Sequence, residues 1–222
     1  MYEKYQINEL KKEDAWRLFR IIGDFVDGFD VMPKYLPAIT IFGSARVNEG
    51  DKYYEAARKL AYMLAKEGFT VVTGGGPGIM EAGNRGAFEA GGSSIGLNIA
   101  LPREQIPNKY AKVQLNFHYF FSRKVMLIKY ASAYILFPGG YGTLDELTEV
   151  LVLIQTQKLK PFPIFLYGGE FWNGLVDWIK QQLLQNNYID REDLKLFKVM
   201  DDLDEIVNEI KVFYSKSFEE SL

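Results

Sequence analysis

From residue 38 onward, short runs of consecutive apolar residues alternate with longer stretches in which apolar positions recur every three or four residues. The runs are Ala38–Phe42, Phe69–Val72, Ser94–Asn98, Val113–Phe117, Ala133–Phe137 and Pro163–Tyr167, with a weaker one at Leu196–Met200. Helical spacing fills the stretches 51–66, 78–91, 122–131, 142–158, 171–186 and 202–215. Strands with continuous hydrophobicity are covered on both faces, and strands alternating with helices pair in parallel. Right-handed crossovers wind such a chain into a doubly wound sheet, whose ligands sit beyond the carboxyl ends of the strands where the strand order reverses. The expected fold is α/β, a Rossmann-like, mainly parallel sheet with helices on both faces.

Upstream of that alternation, Leu10, Trp16, Leu18, Phe19, Ile22, Phe25 and Val26 recur at near-helical spacing over residues 8–30, and Pro33 and Pro37 end the segment. Residues 1–36 therefore read as an N-terminal helical extension of one domain at 37–222. Its aromatic residues Trp16, Phe19, Phe25 and Phe29 are expected to pack on the body or on a partner subunit.

Composition narrows the possibilities without naming one. The 222 residues are 48% hydrophobic and 25% charged, ordinary for a globular domain that buries its own core. The absence of cysteine excludes disulfide scaffolds, thiolate catalysis and Cys-ligated metal sites. A single histidine makes a transition-metal site improbable as well. With 26 basic and 29 acidic residues the net charge of −3 offers no footprint for nucleic acid or an anionic membrane. No apolar run is long enough to span a bilayer and the first residues are polar, so the expected setting is the cytoplasm.

The chemistry is written where the glycines fall, just after strands: Gly43-Ser44-Ala45-Arg46, then Gly74-Gly75-Gly76-Pro77-Gly78, then Pro138-Gly139-Gly140-Tyr141-Gly142-Thr143. Glycine lets the backbone approach an anion closely, and free N–H groups at a helix start favour phosphate. Three such loops on one sheet edge point to a phosphate-bearing ligand. The fingerprints of the common nucleotide folds are missing. Ile79 stands where the last glycine of G-x-G-x-x-G belongs, no acidic residue closes the following strand, and there is no G-x-x-x-x-G-K-[ST].

Pro138-Gly139-Gly140-Tyr141-Gly142-Thr143-Leu144-Asp145-Glu146 matches the P-G-G-x-G-T-x-x-E signature, and the chain resembles the LONELY GUY family over about residues 38–215. These are cytokinin riboside 5′-monophosphate phosphoribohydrolases, many once labelled possible lysine decarboxylases. Supporting matches are Gly43-Ser44-Ala45, Gly74 to Glu81, Pro102-Arg103-Glu104 and Ser122-Arg123-Lys124-Val125-Met126. The run from Gly76 to Gly86 looks like the broader bacterial branch. The resemblance implies hydrolysis of the N-glycosidic bond of AMP or an N6-modified AMP, with no cofactor or metal, in a homodimer. It makes Glu146 and Arg123 catalytic. Substrate contacts are expected from Gly43, Ser44, Gly74, Gly75, Gly76, Glu104, Lys124, Gly139, Gly140, Tyr141, Gly142 and Thr143.

Elementary chemistry agrees with that assignment. Cleaving a nucleotide N-glycosidic bond passes through an oxocarbenium-like sugar, which a carboxylate stabilises while activating water. Glu146 lies one helical turn past the last glycine loop, within reach of a sugar whose phosphate that loop holds. Arg123 suits bidentate contact with phosphate or carboxylate. Other residues admit plainer readings. Glu104 could be a surface charge, Glu81 and Arg85 an i, i+4 ion pair, and His118 a histidine packed among Phe117, Tyr119, Phe120 and Phe121. That aromatic cluster could stack a base or bury itself in the core or an interface. Leu147, Val150, Leu151 and Ile154 form a stripe that serves a dimer or the sheet equally well. No lysine stands in a setting that marks a pyridoxal Schiff base. The rival to an enzyme is a nucleotide-sensing or carrier module of the same fold.

Overall fold

The computed structural model describes residues 10–100 and 106–219. Seven strands form one parallel sheet: β1 (Ala38–Phe42), β2 (Thr70–Thr73), β3 (Ser94–Ile99), β4 (Val113–Phe117), β5 (Ala131–Leu136), β6 (Ile164–Leu166) and β7 (Lys198–Val199). Among the described residues seven α-helices accompany them: α1 (Leu10–Val31), α2 (Lys52–Lys66), α3 (Ile79–Glu89), α4 (Phe120–Lys129), α5 (Tyr141–Gln155), α6 (Gly169–Trp178) and α7 (Leu203–Glu219). The stretch expected as one helix over 171–186 divides, because α6 gives way to a wider π-helical turn at Ile179–Leu184.

Strand order is β4-β3-β2-β1-β5-β6-β7. The chain steps outward from β1 to β4, then returns to the other side of β1 and steps outward again. The reversal lies between β1 and β5, which pair in parallel from Ala38 and Ala131 to Phe42 and Leu136. Loops leaving these two neighbours turn in opposite directions and open a crevice between them.

Both faces of the sheet are covered, which explains the unbroken apolar runs. Ile39 and Ile41 join Ala133 and Ile135 against Leu60, Leu64, Ala82 and Ile206 of α2, α3 and α7. Ala38 and Phe42 join Tyr134 and Leu136 against Met126, Leu147, Val150 and Trp172 of α4, α5 and α6. The stripe of α5 therefore packs within the chain: Leu147, Val150 and Ile154 are buried there, with Leu151 against them.

The face of α1 that docks on the body is not the one its hydrophobic residues suggest. Phe25 packs on the core, but Trp16, Phe19, Ile22, Val26 and Phe29 point outward, Trp16 with 70% of its surface exposed. Between residues 16 and 31 its buried positions are Asp24 and Gly28, one turn apart. A β-carbon on Gly28 would lie 2.5 Å from Met126 Sδ, so glycine is what lets α1 approach α4. Among the described residues no helix is long and apolar enough to cross a membrane.

Candidate active site

The three glycine loops converge at the crevice and are bonded to one another. The Ser44 amide donates to Pro138 O at 3.0 Å, and the Ile79 amide donates to Ser44 O at 3.0 Å. Several glycines are required by this convergence. A β-carbon on Gly43 would lie 2.7 Å from the Ile79 side chain, one on Gly78 would overlap Ser44 O, and one on Gly139 would overlap Thr143 Oγ1. Gly140 and Gly142 differ. Nothing lies within 4 Å of where their β-carbons would be, and neither has a positive φ, so the fold itself does not require glycine at either position.

Gly140 is the N-cap of α5 and brings no side chain to cap it. The first amides of a helix lack intrahelical acceptors, and the helix dipole adds positive potential there. Thr143 and Leu144 already donate to Gly140 O, whereas no described backbone or side-chain acceptor takes the Tyr141 or Gly142 amide. These amides face a cleft of about 680 Å³.

Of the sequence-predicted site residues, Gly43, Ser44, Gly74, Arg123, Gly140, Tyr141, Gly142, Thr143 and Glu146 line this cleft. Gly75, Gly76, Gly139 and Lys124 do not. The carbonyls of Gly75 and Gly76 accept from the backbone and side-chain nitrogens of Asn108, and Gly139 is packed beneath Thr143. The Lys124 ammonium is held by Glu149 at 2.5 Å and Asp145 at 2.7 Å, which pins α4 to α5. Glu104 lies outside the described residues.

Glu146 and Arg123 define the chemistry. Glu146 is only 4% exposed, and its Oε2 has no hydrogen-bond partner among the described residues. Burial pushes its carboxyl up to about 7; Arg123 and Lys124 pull against that rise, and Glu149 and Asp145 reinforce it. Burial also lowers the Arg123 guanidinium, with Glu146 and Asp145 opposing. Arg123 Nε is likewise without a partner, and its guanidinium stands 5.2 Å from the Phe120 ring centroid. A carboxyl near neutrality beside a desolvated, incompletely bonded cation is suited to proton transfer and anion anchoring.

The remaining wall is apolar, formed by Phe42, Met80, Ile99, Phe120, Leu127 and Leu144, and Arg46 stands with Ser44 and Ala45 on the rim. Arg46 was not singled out in the sequence, although it closes the first glycine loop and brings the cleft's second cation. The aromatic run divides: Phe117 is core, Phe120 lines the cleft, and Tyr119 stacks on Phe121 at 5.4 Å. His118 is not packed as expected; most of its side chain is exposed, and its Nδ1 meets the buried carboxylate of Asp24 at 2.8 Å. The Glu81–Arg85 pair is also absent. Glu81 accepts from the Tyr54 hydroxyl, while Arg85 reaches Glu49 and Glu89. No lysine lines the described cleft, so a pyridoxal Schiff base does not fit it.

Comparison with known proteins bears on these residues. The model of a family described as "Possible lysine decarboxylase" matches residues 80–210. A probable cytokinin riboside 5′-monophosphate phosphoribohydrolase of Oryza sativa subsp. japonica is 34% identical over 147 residues, 64% of this chain and 58% of the rice protein. The match thus spans less than two thirds of that relative's length. A cytokinin riboside 5′-monophosphate phosphoribohydrolase of Arabidopsis thaliana is 31% identical over 147 residues, 64% of this chain and 67% of its own. Among solved structures, the molybdenum cofactor binding protein from the phototrophic bacterium Rippkaea orientalis has a TM-score of 0.61 at 21% identity, covering 80% of this chain and 97% of that one. At that identity the likeness shows the fold alone.

Proposed function

This chain belongs to the possible lysine decarboxylase family, and on that premise we propose that it hydrolyses the N-glycosidic bond of a nucleoside 5′-monophosphate. AMP or an N6-modified AMP is the substrate class. The observation that carries this reading is the pairing, on one helix, of amides at Tyr141 and Gly142 and, one turn later, a buried Glu146 Oε2, all without an acceptor or donor among the described residues. An anion held at the start of α5 places its sugar over that carboxyl. The names of the rice and Arabidopsis relatives support the same chemistry.

In the proposed reaction the 5′-phosphate rests on the α5 amides, with Arg46 at the rim. The ionised Glu146 takes a proton from water as the water oxygen bonds to C1′ of the ribose. The C1′–N bond breaks, and the base leaves with the bonding electrons and takes a proton from solvent, while Glu146 returns to solvent the proton it took from the water. Positive charge on the sugar in the transition state is stabilised by the same carboxylate. Arg123 anchors the substrate, and the apolar wall around Phe120 receives the base.

Product analysis tests this directly. Purified protein incubated with AMP or N6-isopentenyl-AMP should release free base and ribose 5-phosphate, and Glu146→Gln should lower turnover by about 10²-fold or more. Binding of both nucleotides without release of base would instead make the protein a nucleotide-binding module.

A further inference from the structure

The N-terminal helix reaches the candidate active site through one carboxylate. Asp24 of α1 is 3% exposed, and four donors from the β4–α4 junction converge on it. Its Oδ2 accepts from the His118 amide at 3.0 Å, the Tyr119 amide at 3.3 Å and Ser122 Oγ at 2.6 Å, while its Oδ1 meets His118 Nδ1 at 2.8 Å. Tyr119 is the N-cap of α4, and its own side chain makes no capping hydrogen bond. One orphan amide at the start of this helix, that of Tyr119, is thus satisfied from 95 residues away. A negative charge at that end also complements the helix dipole.

Two further contacts tie α1 to the same place. Gly28 sits against Met126 of α4, and the Arg17 guanidinium lies 5.4 Å from the Tyr119 ring centroid. The turn that Asp24 caps carries Phe120 and leads directly into Arg123, and both line the cleft. On its other side Arg123 is held less firmly, since its Nε has no partner. Its position therefore depends on where the first turn of α4 is fixed.

We propose that Asp24 is a positioning residue for the active site, capping α4 from the appended helix and thereby setting Arg123 against the cleft. The proposal rests on the functional reading above only in taking Arg123 as substrate-facing. Side-chain chemistry distinguishes the variants. Alanine removes the acceptor for all four donors. Asparagine keeps one oxygen for the two amides and Ser122, and its NH₂ can donate to neutral His118 Nδ1, so the geometry survives without the charge.

The test is a double-mutant cycle between Asp24→Ala and Arg123→Ala, read as AMP affinity by calorimetry in a Glu146→Gln background that does not consume the nucleotide. Asp24→Ala should weaken AMP binding about tenfold when Arg123 is present and less than about twofold when Arg123 is absent. Asp24→Asn should stay within about threefold of the parent. Equal losses with and without Arg123, or Asp24→Asn as damaging as Asp24→Ala, would overturn the positioning role. If Asp24→Ala does not fold, Ser122→Ala carries the same cycle, with an expected loss of about threefold.

AMP turnover by the protein with Glu146 intact is assayed separately. A coupled cycle without turnover removes the hydrolase and keeps Asp24 in its role; turnover with an additive cycle does the reverse. Absence of both binding by the Glu146→Gln protein and turnover by the parent, with AMP and with N6-isopentenyl-AMP, overturns both.

Discussion

Glu146 is buried where a carboxylate is poorly solvated, and this fixes both its use and its cost. Its carboxyl is raised from 4.5 to about 7 chiefly by burial, so the folded protein holds that proton more tightly than the unfolded chain. Its contribution to stability therefore falls as pH rises from about 4.5 to about 7 and stays low above that. Thermal melts of Glu146→Gln should match the parent near pH 4 and show a gain on the order of 3 kcal/mol at pH 8. Hydrolysis should run the opposite way, with kcat/KM climbing through about pH 7 as the base ionises, and the mutant should lose that limb. Glu146 and Arg123 were legible in the sequence because a nine-residue signature and a helix-start motif carry them. Lys124 was misplaced because its partners, Asp145 and Glu149, stand on another helix, and spacing along one helix does not reveal a cross-helix ion pair.

At the scale of elements, the start of α5 gives the sharpest test of what the glycines are for. Gly142 occupies the second position of that helix with open space where a β-carbon would go, and Gly43 has none. Gly142→Ala should leave the fold intact or firmer by up to about 1 kcal/mol, yet weaken ribose 5-phosphate binding about tenfold or more. Gly43→Ala should cost about 1–3 kcal/mol of stability, because Ile79 must move. Melting curves with calorimetry of ribose 5-phosphate separate the two effects. The strands were legible because burial on both faces leaves unbroken apolar runs, whatever the final register. The face of α1 was not. Its apolar residues trace a stripe that faces outward, and it docks through an aspartate and a glycine, which hydrophobic periodicity does not register. Apolar spacing over 171–186 predicts one helix for a similar reason, since it continues through the change from α to π geometry.

Across the whole molecule, the cleft draws on residues from Phe42 to Glu146, and no single crossover unit contains it. The alternation of strands and helices indicates that a reversal in strand order exists somewhere. Placing it between β1 and β5 required the sheet itself, because pattern along the chain carries no information about which distant strands become neighbours. That placement also bears on how the molecule comes apart. The first and last glycine loops meet only while residues 38–42 are paired with residues 131–136. A partly opened chain with those strands separated keeps the α5 amides but loses the cleft wall built from residues 42–46, so nucleotide binds the closed sheet far more tightly than the parted one. Saturation at a hundred times Kd would add about 2.7 kcal/mol against opening. Hydrogen exchange with and without AMP, in the Glu146→Gln protein, should show the added protection in the amides of β1 and β5 and on outward through both halves of the sheet. Protection confined to the glycine loops would mean that the sheet parts without releasing its ligand. The strand reversal that makes a binding crevice thus also makes the bound nucleotide a latch, closing two stretches of chain that synthesis delivers far apart.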